Sequence, residues 1–338
     1  MHPKLRAIMG GFALLAMAAT GTAAQTPTEW KFASSGQPRT VFANHIERMA
    51  TEINALSKGT LKIDVFMGSQ LGGEGETIQQ VMRGRVEMGG FSLTTIAQVL
   101  PEVSILTLPF LFKSGQQIDC VVDSAPMVKY LTDALAAKNL HLYGWSALGT
   151  VHFAAKKPIL SPDDVRGIKA RAQATKVGAI MWATFGANPI PLAITEWSSA
   201  HQTGLVEVSD APPTYYHISG LGKIAPVLTL SAHQQLAAFI LVNKSLYEKL
   251  TPEQKAAFDT TRTTHPYAKL SVDMRAFEDS MLEAHKKGGG QVVTMTPEQR
   301  TVWQKGLEPQ FAKIVQDVGG EAPKLWALVQ DAMKSCGG

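Results

Sequence analysis

Along the first half of the chain the apolar positions change period repeatedly. Phe42, Ile46, Met49, Ile53 and Leu56 recur three or four residues apart, which predicts a helix over 42–56 that buries one stripe and stops at Lys58-Gly59. Leu61, Ile63 and Val65 then alternate with Lys62 and Asp64, the pattern of a strand with one exposed face. A glycine-rich turn, Gly68-Ser69-Gln70-Leu71-Gly72-Gly73, leads to a short helix around Ile78, Val81 and Met82, and 86–92 reads as a further strand. A helix over 126–138 feeds a strand over 140–145.

The second half repeats the theme. Ser161-Pro162-Asp163-Asp164 has a hydroxyl cap with proline in the first turn, a helix start ahead of a strand that ends at Arg171. An apolar helix over 175–185 stops at Gly186. Another runs from Thr195-Glu196 to Gly204, and 205–209 forms the next strand. Residues 236–242 are apolar and β-like throughout, as a central strand would be. Thr251-Pro252-Glu253 begins a long helical stretch and Thr296-Pro297-Glu298 another. This alternation predicts an α/β fold with mainly parallel sheets. No internal repeat and no low-complexity linker divides the chain, so two lobes woven together by crossing strands fit it better than separate beads.

Composition narrows the class. With 338 residues, 45% of them hydrophobic, the chain can build more than one core. Charged residues are 18% without long like-charge runs, which argues against intrinsic disorder. The net charge of +4 falls to +2 when Lys4 and Arg6 are set aside as part of a leader, and no clustered basic face points to nucleic acid. Lys4 and Arg6, the apolar run 8–19 and Thr22-Ala23-Ala24 together predict a secretory signal over 1–24, cut near Ala24, and a periplasmic product. A membrane anchor is the alternative, disfavoured because the run is shorter than the roughly 20 residues a span needs. Cys120 and Cys336 would pair in an oxidising compartment and tie the C-terminal tail to the body; two free thiols are the alternative.

The chemistry concentrates at Gly167-Ile168-Lys169-Ala170-Arg171, which places an arginine at the end of an apolar strand. Its guanidinium keeps its charge and presents planar N–H donors that match a carboxylate with two parallel bonds. A structural ion pair on the same lobe is the other reading. Enzyme signatures are missing: there is no Gly-x-Ser-x-Gly elbow, P-loop or His-Glu-x-x-His helix. Gly72-Gly73-Glu74-Gly75-Glu76 fails the dinucleotide spacing and sets two acids where a pyrophosphate would lie. Neither a cofactor nor a metal is expected.

Taken in order, several motifs are more specific than any one alone. They are Gly59-Thr60-Leu61-Lys62-Ile63, Gln70-Leu71-Gly72, Leu108-Pro109-Phe110, Gly167-Ile168-Lys169-Ala170-Arg171, Gly186-Ala187-Asn188-Pro189-Ile190-Pro191, and Glu196 with Thr203-Gly204. Through them the chain resembles the extracytoplasmic solute-binding proteins of tripartite ATP-independent periplasmic (TRAP) transporters, the DctP-like family, over nearly all of its expected mature length. The resemblance implies a two-lobe periplasmic-binding-protein-like fold with a central cleft, hinge strands and a long helix spanning both lobes. Lobe I is expected from 28–148 plus 237–276, and lobe II from 149–236 plus 277–332. It further implies a monomer that captures a small carboxylate and delivers it to the membrane subunits of a TRAP permease. A sensory protein presenting ligand to a membrane receptor kinase would share the same fold and cleft.

The resemblance puts Arg171 on the family's carboxylate-pairing arginine. It also makes Ser92, at a strand end, a candidate cleft contact, and Gln173 a polar residue able to complete the arginine's contact. Trp145 ends a strand and is the better placed of the tryptophans to line a cleft; core packing is the alternative for it and for Trp182. Asp210 is expected to orient Arg171 or cap a turn. Gly149-Thr150-Val151-His152 lacks the second arginine of many relatives, leaving His152 or Thr150 to substitute. His152 and His233 are otherwise packed or hinge histidines. Ala211 stands where relatives place an asparagine contact. These departures favour a smaller or more apolar carboxylate over a ligand with many hydroxyls.

Overall fold

The computed structural model describes residues 27–337 apart from 174, 176 and 193–195, so the expected leader over 1–24 lies outside the described residues, as does the expected helix start at Thr195. Among the described residues nine strands share one sheet. They are β1 (Thr28–Ser34), β2 (Leu61–Phe66), β3 (Met88–Ser92), β4 (Leu140–Ala155), β5 (Lys169–Ala172), β6 (Asn188–Pro191), β7 (Val208–Ala211), β8 (Val227–Asn243) and β9 (Gln291–Thr294). Their order is β2-β1-β3-β8-β4-β7-β5-β6, with β9 also paired to β8. The pairs β1–β2, β1–β3, β5–β6, β5–β7 and β8–β9 are parallel, whereas β3–β8, β4–β7 and β4–β8 are antiparallel. The sheet is therefore mixed. Crossing strands return in opposite directions between the lobes, so the expectation of mainly parallel sheets fails there.

β4 and β8 run through both lobes. Paired with each other along their length, they carry further neighbours: the second half of β8 pairs with β3, its first half with β9, and the second half of β4 with β7. Their shared register shifts between Leu142 and Gly144, between Ala147 and Gly149, and between Val151 and Phe153. These irregularities bend a strand and break the alternation by which it would be recognised. That is why the sequence pattern shows only 140–145 and 236–242 of two strands that are 16 and 17 residues long. A helix from Tyr267 to Lys287 packs on β4 and reaches from helix Val41–Leu56 on one lobe to helix Pro213–Ile218 on the other. Pro266 separates it from helix Pro252–Thr264, so one expected stretch is two helices.

Local signals account for many boundaries. Helix Val41–Leu56 starts where Thr40 Oγ1 accepts from Ala43 N at 3.2 Å. Helices Pro252–Thr264 and Pro297–Leu307 begin in capping boxes formed by Thr251 with Gln254 and Thr296 with Gln299. Ser161 and Asp164 form a capping box too, yet it opens only a single 3₁₀ turn, Pro162–Val165. The helix expected over 175–185 is Ile180–Thr184, because the chain turns tightly before it: Thr175 N donates to Gln173 O at 2.8 Å, and a Cβ on Gly178 would lie 2.3 Å from that oxygen. Strand β7 begins at Val208 rather than at 205, since Val206 N still donates back to Ala200 O at the end of helix Trp197–Gln202.

One hydrophobic cluster packs helix Val41–Leu56 on β1–β3, with Trp30, Phe32, Ile46, Ile53 and Phe258 at its centre. A larger one joins the 3₁₀ segment Pro101–Thr107 and helices Gly115–Asp123 and Ala125–Ala136 to the C-terminal helices Phe311–Val318 and Ala322–Ser335. Cys120 and Cys336 form a disulfide with a Cα–Cα distance of 5.7 Å, joining helix Gly115–Asp123 to the end of the chain. The last two helices thus lie against elements between residues 101 and 136, although the sequence division grouped 277–332 with the other lobe.

Candidate functional site

Arg171 lies in β5, one residue before its end, with its side chain buried. Its Nε and Nη2 both donate to Leu192 O, at 3.2 and 3.0 Å, and its Nη1 donates to Asp210 Oδ1 at 3.1 Å. The guanidinium also lies over the Trp197 ring, 4.3 Å from its centroid. Among the described residues these bonds use three of the guanidinium's five N–H groups, leaving one on each Nη. Two such donors suit the two oxygens of one carboxylate.

Asp210, on β7, is as buried as its partner. Burial pushes its carboxyl up from the ordinary aspartate range, while Arg171 and a bond from Gln173 pull it back. Burial likewise lowers Arg171 from its ordinary value, against Asp210. A guanidinium does not release its proton at ordinary pH, so the pair stands as cation and anion with its charge neutralised in place.

Gln173 extends the network across the cleft. Its Nε2 donates to Gln234 Oε1 of β8 at 2.8 Å, and its Oε1 accepts from Thr94 Oγ1 at 3.2 Å. Gln234 Nε2 in turn donates to Thr107 O. Thr94 follows β3 on the far side of the molecule from β5, so the contact joins the two lobes directly.

Ser92 lies two residues before Thr94, but its hydroxyl is occupied. It donates to Glu74 Oε2 at 2.6 Å and accepts from Thr95 N at 3.3 Å as the cap of helix Leu93–Ile96. Ser35 and Thr95 hydroxyls also donate to the Glu74 carboxylate. Glu74 is therefore an acid held by three hydroxyls at the ends of β1 and β3, just inside the start of its own helix.

The structure gathers Arg171, Asp210 and Gln173, while Ser92 bonds to Glu74 and Thr95, two residues before the Thr94 that meets Gln173. It does not bring Trp145 and His152 into this cluster. Trp145 packs in the larger core, and its Nε1 donates to Asp123 Oδ1 at 2.7 Å. His152 Nδ1 accepts from Ala232 N at 3.0 Å, a bond made possible where Ala232 adopts φ +46 in β8. Burial lowers His152 to about 3, so it is neutral. His233 is buried and packs face to face on Phe153, with ring centroids 4.4 Å apart.

Thr94, Gln234, Trp197, Glu74 and the Leu192 carbonyl escaped the sequence reading. Trp197 had the nearest signal, following Glu196 at the start of a short helix. Its indole Nε1 is buried and has no acceptor among the described residues. The surface grooves lined by Glu47, Arg48 and His265 and by Tyr130, Asp133 and Lys324 include none of these residues.

The model of the DctP family, described as bacterial extracellular solute-binding protein, family 7, matches residues 32–317. A solute-binding protein of Chromohalobacter salexigens is 25% identical over 331 residues, covering 97% of this chain and 94% of its own. The C4-dicarboxylate-binding periplasmic protein DctP of Rhodobacter capsulatus is 25% identical over 324 residues, 94% and 95% of the two chains. Among solved structures, the sugar acid binding protein DctPAm of Advenella mimigardefordensis in complex with galactonate aligns with a TM-score of 0.84. It is 25% identical and covers 92% of this chain and 99% of its own.

Proposed function

Because this chain belongs to family 7 of the bacterial extracellular solute-binding proteins, we propose that it captures an organic acid in the cleft at Arg171 and hands it to a TRAP membrane permease. The observation that carries the reading is the buried Arg171 guanidinium, fixed by Leu192 O and Asp210 with an N–H left on each Nη among the described residues. In this reading Arg171 anchors the carboxylate and Asp210 holds the guanidinium in register. Gln173, Thr94 and Ser92 offer polar contacts to the rest of the ligand. Trp145 Nε1 is bonded to Asp123 and His152 Nδ1 to Ala232 N, and neither side chain belongs to the Arg171 cluster. Binding without turnover is expected, outside the cytoplasmic membrane after removal of the leader near Ala24.

Relatives named for a C4-dicarboxylate and for galactonate set the test panel. Closure follows when a ligand touches both lobes and so favours the closed arrangement. Calorimetry and thermal shift with succinate, galactonate, branched and aromatic acids, neutral sugars and amines decide the class. Acids are expected to bind, and Arg171→Ala to lose about 2–3 kcal/mol or more of affinity, the loss typical when one partner of a buried charged pair is truncated. Binding confined to neutral sugars or amines, or an unchanged Kd in Arg171→Ala, refutes the assignment.

A further inference from the structure

Where β4 crosses between the lobes, its pairing with β8 slips between Ala147 and Gly149, and Gly149 takes φ +122. The next amide, Thr150 N–H, donates to Glu278 of helix Tyr267–Lys287, at 3.0 Å to Oε2 and 3.3 Å to Oε1. A Cβ on Gly149 would stand 2.0 Å from Glu278 Oε1, so this carboxylate fits only because residue 149 is glycine. Thr150 Oγ1 donates to Gln235 Oε1 of β8 at 2.9 Å, which ties the second crossing strand into the same cluster. One turn earlier on the helix, Arg275 Nη1 donates to Asp119 Oδ2 of helix Gly115–Asp123 at 2.9 Å.

We infer that Glu278 is a positioning residue for lobe closure: its carboxylate, carried by the helix that spans both lobes, holds the hinge amide of Thr150 and biases the cleft toward its closed arrangement. The inference rests on the reading that the protein closes around a ligand. The geometry that holds Thr150 is also the one in which Thr94 of one lobe touches Gln173 of the other at 3.2 Å.

The hold is set by protonation. Burial raises the Glu278 carboxyl to about 8; the Thr150 N–H and Arg275 oppose the rise, and Asp279 adds to it. The ionised carboxylate accepts a charge-assisted bond roughly twice as strong as a neutral one. For a carboxyl that stays buried as the lobes part, losing the Thr150 N–H raises its value further, so ionisation favours the bonded arrangement. Few other groups intervene. His152 of β4 is neutral through this range, with a value of about 3. Helix Gly115–Asp123 presents Asp119, bonded to Arg275, and Asp123, bonded to Trp145. Helix Pro213–Ile218 carries Tyr215, Tyr216 and His217, and its Tyr216 meets His285 at the far end of the long helix. Helix Val41–Leu56 presents His45 to the opposite end, at Tyr267, and Glu52 beside His265. β9 carries no titratable side chain.

The test needs no ligand. Small-angle scattering and backbone amide resonances are recorded on the full mature chain between about pH 9 and about pH 6, for wild type and Glu278→Gln. The wild-type Thr150 resonance is expected to titrate well above the ordinary carboxyl range, with the radius of gyration growing as the pH falls. In Glu278→Gln both are expected to stay flat, with the larger radius throughout. A Thr150 resonance that does not move, or a radius with the same pH profile in both proteins, overturns the inference. Failure of every acid to bind would instead defeat the ligand reading, and these ligand-free measurements would still judge the hinge.

Discussion

Asp210 decides how much of the Arg171 charge an arriving acid finds unopposed. Both groups are buried, and removing one partner of such a pair leaves an uncompensated charge out of water, a loss of about 3–5 kcal/mol. Asp210→Asn keeps the shape of the site but removes the counter-charge. Its unfolding free energy without ligand is expected to fall by about 3 kcal/mol. A saturating acid should then raise stability more than in wild type, because the ligand carboxylate restores the missing anion. Urea unfolding with and without the acid checks both statements, and an unaltered ligand-free stability would sink them. Arg171 was legible as a charge at the end of an apolar strand, and Asp210 as an acid just past the strand read over 205–209. Their neighbours were not. Gln173 meets Gln234 and Thr94 across 61 and 79 residues of chain, distances no local pattern spans. The Leu192 acceptor is a backbone carbonyl, which every residue possesses.

At the scale of elements, the two crossing strands were readable only as halves, and the reason is the same irregularity that makes them a hinge. A register shift flips the side-chain alternation from which a strand is recognised, and glycine contributes no side chain to the pattern. Gly149 is the position where this matters most. An alanine there would need an unfavourable backbone conformation and would drive its Cβ into Glu278. Gly149→Ala is expected to lose about 2–3 kcal/mol of stability, the range for overpacking a buried site at a strained φ. Gly149→Ala combined with Glu278→Ala should regain part of that loss, since the carboxylate is what the methyl meets. Denaturant midpoints of the two proteins give the comparison. If the single variant matches wild type, or the second substitution deepens the loss, the steric account is wrong. The helix starts at Thr251 and Thr296 were legible because their capping partners lie within three residues.

For the whole molecule, the alternation of strand and helix was enough to predict α/β and the undivided chain to favour two interwoven lobes, while the central cleft and the helix spanning both lobes came with the family resemblance. The packing of helices Phe311–Val318 and Ala322–Ser335 onto the segment between 101 and 136 was not legible, because an amphipathic helix shows which face it buries but not against what. Buried histidines are spread across the fold in the same unreadable way: His45 in helix Val41–Leu56, His152 in β4, His201 in helix Trp197–Gln202 and His233 in β8. Burial is the leading cause that lowers each, to about 4 for His45 and His201, to about 3 for His152, and well below the ordinary value for His233. The unfolded chain protonates its histidines below about pH 6.5, whereas the folded protein does not until its lowered values are reached. Stability from these groups is therefore present above about pH 6.5 and lost as the pH falls toward 4, by up to about 1.4 kcal/mol per pH unit for each proton taken up on unfolding. Glu278 acts oppositely, because its raised value makes the folded state bind a proton more tightly between about 8 and 4.5. His141 is lowered by burial as well, and five lowered histidines outnumber the raised carboxyls of Glu278, Asp119 and Asp210, so urea unfolding should weaken between about pH 6.5 and 4.5. In His152→Gln, whose amide oxygen can still accept from Ala232 N, the slope should lose about one proton. An equal slope in the two proteins would mean that His152 takes up its proton without unfolding.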